Sequence, residues 1–371
     1  MDKMINSGNL KIARESRGYS QRDLSDITKI SRQSIHKYES GSINPSSENI
    51  LTIANALEFP LDYFYIDSID IKNDSATFFR KKKQTPKKVC NMQYHHFNFG
   101  YSIYNYFLQY IDFPVTRLLK GYIDNLIEID ETYIEQMALN LRDLWGLGIH
   151  PIDNLFNVIE ANGIVILDSI ISDEKLDASS RWINNHPFIL LTDKDESFYR
   201  RRFNVAHELG HLILHSFIND ISELDREEYD LLEKQANYFA SVFLMPNDAF
   251  IESVRSIDIN YLIQLKKYWK VSLQSIIYKL KDLKLISENQ YLYLQRQISR
   301  NKWRKIEPLD QSTKKEKTQL LSKAYNLLIE NFVITSNDLY YDLCLPKNIV
   351  NHFLNLNEDI ERIEPIIKLV R

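Results

Sequence analysis

Five residues in the middle of the chain have the types and spacing for metal chemistry. His207-Glu208-Leu209-Gly210-His211 is an HExxH pattern. On an α-helix, residues four apart lie about 40° apart around the axis and about 6 Å along it. Both imidazoles then reach one ion, and Glu208 projects beside them, close enough to work on a metal-bound water. The bland alternative is two histidines satisfied by carbonyls or left exposed. Five residues also match by chance, so the flanks matter. Phe203, Ala206, Gly210, Leu214 and Phe217 recur with helical period, the buried stripe that a metal-binding helix inside a core needs.

Zinc in a hydrolytic site takes three protein ligands and one water, so a third ligand has to come from elsewhere. His215 drifts a further 40° around the helix and lies about 12 Å along it from His207. We read it as a core-edge residue or one standing behind the ligands. The next helix, expected from Glu227 to about Leu244 and ended by Pro246, carries Glu227, Glu228, Asp230 and Glu233. Glu233 is favoured because Ala236, Asn237 and Ala240 share its face, and small residues let two helices approach closely. Asn237, one turn on, can bond a ligand imidazole and fix its orientation. The other three acids and His215 remain the alternatives. Zn2+ brings the pKa of a bound water to roughly 7, and Glu208 is placed to take that proton and pass it to a leaving amine. Tyr, His and Arg candidates for stabilising the oxyanion are too many to choose among. Arg200-Arg201-Arg202 precede the motif and oppose the helix dipole. Their expected partners are Asp193, Asp195 and Glu196, or else a substrate carboxylate or another domain.

A second constellation lies near the N-terminus. Ser20-Gln21-Arg22-Asp23 is a capping box that starts a helix running to about Thr28. After a short turn a second helix is expected from Arg32 to about Ser40, stopped by Gly41. Leu24, Ile27, Ile30, Ile35 and Tyr38 supply the inward faces. Arg32, Gln33, Ser34 and Lys37 lie on the outer face of the second helix, and Arg and Gln bond base edges bidentately in the major groove. Gln21 is placed to hold a phosphate. A helical protein-binding module is the alternative.

Two resemblances follow from these residues. The stretch YSQRDLSDITKISRQSIHKYESGSINPSSENILTIANAL, within residues 9–66, resembles the phage-repressor/Cro (XRE) type of helix-turn-helix. The resemblance implies that the second helix reads a double-stranded DNA operator, often as a homodimer on a palindrome. RRRFNVAHELGHLILH, followed by EKQANYFASVFLMP, resembles the ImmA/IrrE type of metallo-endopeptidase. ASSRWINNHPFILL upstream and LKKYWKVSLQSIIYKLKDLKLIS downstream fit the same family, over residues 135–308. That likeness implies His207, His211 and Glu233 as metal ligands and Glu208 as the catalytic glutamate. It also implies a role in stress responses, mobile elements or toxin–antitoxin loci. Gln235 stands where many members have a second acid.

The rest of the sequence sets the frame. Its 371 residues are ample for two or three domains, and 44% hydrophobic with 26% charged residues excludes a disordered or collagenous chain. The longest apolar run is four residues, so no membrane span is expected. Two cysteines make no disulfide framework, and a cytoplasmic protein is expected. A net charge of −4 makes nucleic-acid binding a local property.

We expect an α+β, predominantly α, fold in four parts. Residues 1–66 form an all-α, five-helix DNA-binding domain. Residues 67–93 form a basic linker, with Arg80, Lys81, Lys82, Lys83, Lys87 and Lys88 crowded around Pro86. The linker is a solvated tether or a path for DNA phosphates. Residues 94–308 form a zincin-like helical domain with a small sheet, its strands expected at 163–167, 188–191 and around Arg181–Ile183; the pattern over 94–150 reads as helical. Residues 309–371 form a helical segment in which Leu339, Leu343 and Leu345 face Ile349, Phe353 and Leu354, with Cys344 buried. The function expected is a DNA-binding regulator whose zinc endopeptidase cleaves a partner regulator. The rival is a repressor or antitoxin whose peptidase-like domain binds a partner, such as a toxin, without turnover.

Overall fold

The computed structural model describes residues 4–67, 78–79, 86–171, 178–192 and 196–356. The chain begins with four short helices, α1 (Ser7–Ser16), α2 (Gln21–Thr28), α3 (Arg32–Glu39) and α4 (Ser47–Leu57), closed by a 3-10 turn at Leu61–Phe64. Ser20 and Asp23 form the capping box that starts α2. Lys29 adopts a left-handed φ of 61° that ends α2 and turns the chain into α3. Leu24, Ile35 and Tyr38 are buried as expected, whereas Ile27 is 48% exposed.

The stretch expected as a basic linker, 67–93, ends in helix rather than tether. Arg80–Lys83 lie outside the described residues, but Lys87 and Lys88 open a 21-residue helix, α5 (Lys87–Phe107), which follows the two-residue strand β1 (Phe78–Phe79). Pro86, at φ −60°, is pre-set for a helix start. Residues 87–93 are helical because Val89 and Gln93 have a buried face to meet. The dense aromatic set of this region is packing: Phe97, Phe99, Tyr104 and Phe107 are all buried. Helical structure stops at Phe107, and residues 111–125 run without regular structure. Their backbone bonds go to other elements, Arg117 N to Asn162 O and Gly121 N to Ile213 O.

Next come α6 (Glu131–Leu144), α7 (Leu155–Ala161), and the strands β2 (Val165–Asp168), β3 (Ala178–Ile183) and β4 (His186–Leu191). Sheet order is β1-β3-β4-β2. β3 and β4 form a hairpin across Asn184 and Asn185, whose φ values of 46° and 63° are those of a two-residue type I′ turn. β2 runs parallel to β4 and β1 antiparallel to β3.

The long helices α8 (Phe198–Leu214) and α9 (Arg226–Leu244) follow, and then α10 (Asn247–Ser253), α11 (Ile259–Trp269), α12 (Leu273–Asp282) and α13 (Glu288–Arg300). After turns, α14 (Leu320–Glu330), α15 (Ser336–Leu343) and α16 (Lys347–Phe353) end the described chain. No helix among the described residues is long and apolar enough to cross a membrane.

Two cores divide on the sheet. Ile164, Ile166, Ile189 and Leu191 pack with α6 to α13 on one side. Val165, Leu167, Phe188 and Leu190 pack on the other with α5, the N-terminal helices and α14 to α16. The N-terminal module and the C-terminal helices thus share one core across α5, and Leu339, Leu343, Leu345, Ile349, Phe353 and Leu354 all lie in it. Gly100 permits the close approach of α5 to the sheet: a Cβ there would stand 2.2 Å from Leu167 Cδ1.

Candidate functional site

α8 carries the HExxH residues through the centre of the molecule. Ser197 caps it, and it is buried almost all round, with α9 and the strands β3 and β4 packed against it. Gly210 lets α9 come close, since a Cβ there would lie only 3.1 Å from the Phe239 ring. Asp225 and Glu228 form the capping box that starts α9.

The two helices bring three side chains to one point. His207 Nε2 and His211 Nε2 are 3.0 Å apart. Glu233 reaches both from α9, with Oε2 3.5 Å from His207 Nε2 and Oε1 3.6 Å from His211 Nε2. A tetrahedral ion with ligand bonds of about 2.1 Å separates its ligands by about 3.4 Å, within the range of this triangle's sides of 3.0, 3.5 and 3.6 Å. Donor atoms of His207, Glu208 and His211 all lie within 4.8 Å of one another. Tyr229, four residues before Glu233 and so on its face of α9, donates its hydroxyl to Glu233 Oε1 at 3.2 Å.

Hydrogen bonds behind the triangle set the ring tautomers. Gln235 Nε2 donates to Leu126 O and Ile129 O, both at 2.8 Å. Its Oε1 must therefore accept, and the partner is His215 Nε2 at 3.0 Å. His215 is left with a lone pair on Nδ1, which receives His211 Nδ1–H at 3.0 Å. His211 in turn presents the lone pair of Nε2 to the centre. His207 Nδ1 lies 3.0 Å from Asn237 Oδ1, which fixes its Nε2 likewise. Two lone pairs facing each other at that distance repel unless a cation lies between them, so the residues fit a divalent ion. Burial, with His211 beside it, holds His215 well below its ordinary pKa and therefore neutral.

Glu208 is fully buried and accepts a hydrogen bond from Ser180 Oγ at 2.7 Å. Sequence reasoning missed Ser180, although period-two alternation along β3 contains the signal. Ser180 and Trp182 face α8, with Trp182 Nε1 donating to Leu212 O at 3.3 Å. Ser179 and Arg181 face α5, bonding Gln93 Oε1 and Asn98 Oδ1. Beside the triangle a cavity of about 760 Å3 extends between α8, α9 and α12, lined by Phe203, Asn204, Asn237, Tyr238, Tyr278 and Lys279 among others.

Among the described residues, the arginines before the motif bond groups distant in sequence. Arg201 pairs with Asp168 at 2.7 Å, and Arg202 with Glu316 and the carbonyl of Ile152. Arg200 donates to Arg304 O, while Glu196 holds Asn204. Asp193 and Asp195 lie outside the described residues. The charge needed by Arg201 and Arg202 comes from residues far off in sequence, which spacing cannot reveal.

At the N-terminal module, Gln21, Arg32, Gln33, His36 and Lys37 line one groove on the surface. Arg32, Gln33 and Lys37 are exposed, and Ser34 is half-buried, its hydroxyl 2.9 Å from that of the helix-capping Ser31. Gln21 Nε2 donates to Glu39 Oε2 at 2.8 Å, and Glu39 is held by both Arg14 Nε at 2.6 Å and Arg14 Nη2 at 2.9 Å. The next residue, Glu15, meets His95 of α5 at 3.1 Å. Polar contacts thus run from the groove through the module to the helix that joins it to the rest.

This fold and site define a repressor-type helix-turn-helix joined to a metallopeptidase-like domain. Comparison with known families agrees. Residues 10–64 match the Helix-turn-helix family HTH_3, and residues 159–281 match the IrrE N-terminal-like domain of the peptidase family M78. The chain is a fusion of an XRE-type DNA-binding domain and an IrrE-like domain. No curated protein matches it.

Proposed function

We propose that this chain is a DNA-binding regulator whose zinc-dependent endopeptidase domain cuts a specific partner protein. The observation that carries the reading is the triangle of His207 Nε2, His211 Nε2 and the Glu233 carboxylate, with Glu208 beside it. Zinc held there supplies a Lewis acid and a water acidic enough to ionise near neutral pH. His207, His211 and Glu233 hold the ion, while Asn237 and His215 keep the two rings turned toward it. Glu208 takes the proton of the attacking water and delivers it to the leaving amine. Ser180 donates to one oxygen of the Glu208 carboxylate and so steadies the group that handles the proton.

The substrate is another regulator, because a peptidase tethered to an operator meets the proteins gathered at that operator. Arg32 and Gln33 read bases, while Ser34 and Lys37 hold the backbone. Gln21, anchored by Glu39, steadies the edge of the groove.

The test is Glu208→Gln in the full chain, incubated with regulators encoded beside its gene. Parent cleaves one of them and the variant does not, although both retain zinc and fold. Full biological activity in the variant would overturn turnover in favour of binding alone.

A further inference from the structure

One strand of the sheet comes from the connection between the DNA-binding module and α5. β1 pairs antiparallel with β3, Phe78 opposite Ser180 and Phe79 opposite Ser179. Among the described residues the other strand bonded to β3 is β4, so β1 covers what would be the edge of the sheet. That edge runs beside the candidate catalytic group, since Ser180 Oγ bonds Glu208 Oε2 at 2.7 Å. Ser179 and Ser180 are both fully buried, one turned to Gln93 and the other to Glu208. Their side chains are spent inside the molecule, and β3 offers outward only its backbone N–H and C=O groups. A row of such groups recruits any extended peptide as an added strand. The described pairing spans Phe78 and Phe79, and a longer extended segment laid along β3 makes more ladder bonds than those two residues do.

We propose that Phe78–Phe79 is a cis occupant of the peptidase's docking edge. An extended segment of the partner protein adds to β3 where β1 now lies and displaces it, which places a peptide backbone beside Glu208. The proposal rests on the hydrolase reading for the fate of the docked segment, and on the β3 register alone for the docking. The chain is then slow toward extended peptides until β1 leaves, and the segment acts as a built-in competitor.

The experiment uses the full chain in a Glu208→Gln background, so that nothing is cut. The probe is a fluorescent peptide with the sequence of residues 74–85, DSATFFRKKKQT. Its charge-matched control has both phenylalanines replaced by proline. Phe78→Pro with Phe79→Pro in the protein removes whichever backbone N–H faces β3. Anisotropy should show the probe binding at least about tenfold more tightly to the proline variant than to the Glu208→Gln parent, and the control peptide binding to neither. Phe78→Gly with Phe79→Gly, a milder change, should fall between. Equal affinity for parent and variant, no binding to either, or equal binding of the control would overturn the proposal. If β1 release exposes a peptide-binding edge while the chain with Glu208 intact cuts nothing, the hydrolase reading fails and this one stands.

Discussion

Gln235 holds His215 Nε2 at 3.0 Å, and that contact decides which nitrogen of His211 is left for an ion. The amide cannot turn over, because its nitrogen is tied to the carbonyls of Leu126 and Ile129. A residue two positions past Glu233 thus orients a ligand on the neighbouring helix without touching it. Replacing Gln235 with Leu should weaken zinc affinity by about 10- to 100-fold with helix content unchanged. His215→Phe should act in the same direction. Competition titration against a zinc chelator checks both, and parental affinity in both variants would show that the relay does not orient His211.

How much of this was legible follows from where each residue's partners lie. The HExxH spacing, the capping box at Ser20, and the small residues Ala236 and Ala240 are local patterns, and they carried the helices and the favoured Glu233. Gln235 read as a departure from the related family, because its role depends on His215 one helix away and on two backbone carbonyls of a distant turn. Ser180 was invisible because its meaning depends on which face of β3 meets α8. The same holds for Arg202, whose partner Glu316 is 114 residues off. The expected linker failed at residues 87–93, since charge suggested a tether while Val89 and Gln93 supplied a buried face.

The reading face of α3 makes a separate prediction. Arg32→Ala or Gln33→Ala should cost about 1–3 kcal/mol, concentrated at particular bases, whereas Lys37→Ala should weaken binding uniformly and flatten its salt dependence. These variants leave the core untouched, because all three side chains are exposed. Operator titrations over a salt series separate the two patterns. Parental binding by all three would show that α3 is not the reading helix.

Lys279 gives the stability a pH dependence. Burial lowers its pKa from 10.5 to about 7, while its Nζ donates to Asn247 Oδ1 at 2.7 Å. Between those values the unfolded chain holds a proton that the folded chain does not, so stability rises with pH across that window. Below it, both states are protonated and the folded state bears the burial cost, at most about 5 kcal/mol. Unfolding of parent and Lys279→Met at pH 7 and pH 9.5 should show the parent gaining on the variant as pH rises. A constant difference would contradict the assignment.

The metal centre is tested most directly by zinc X-ray absorption on the full chain loaded with one equivalent of zinc. The account predicts four light ligands at about 2.0–2.1 Å, two of them with the outer scattering of imidazole. Glu233→Ala should alter the oxygen shell while both imidazoles stay. A spectrum without two imidazoles, or one unchanged by Glu233→Ala, would show that these helices do not share an ion.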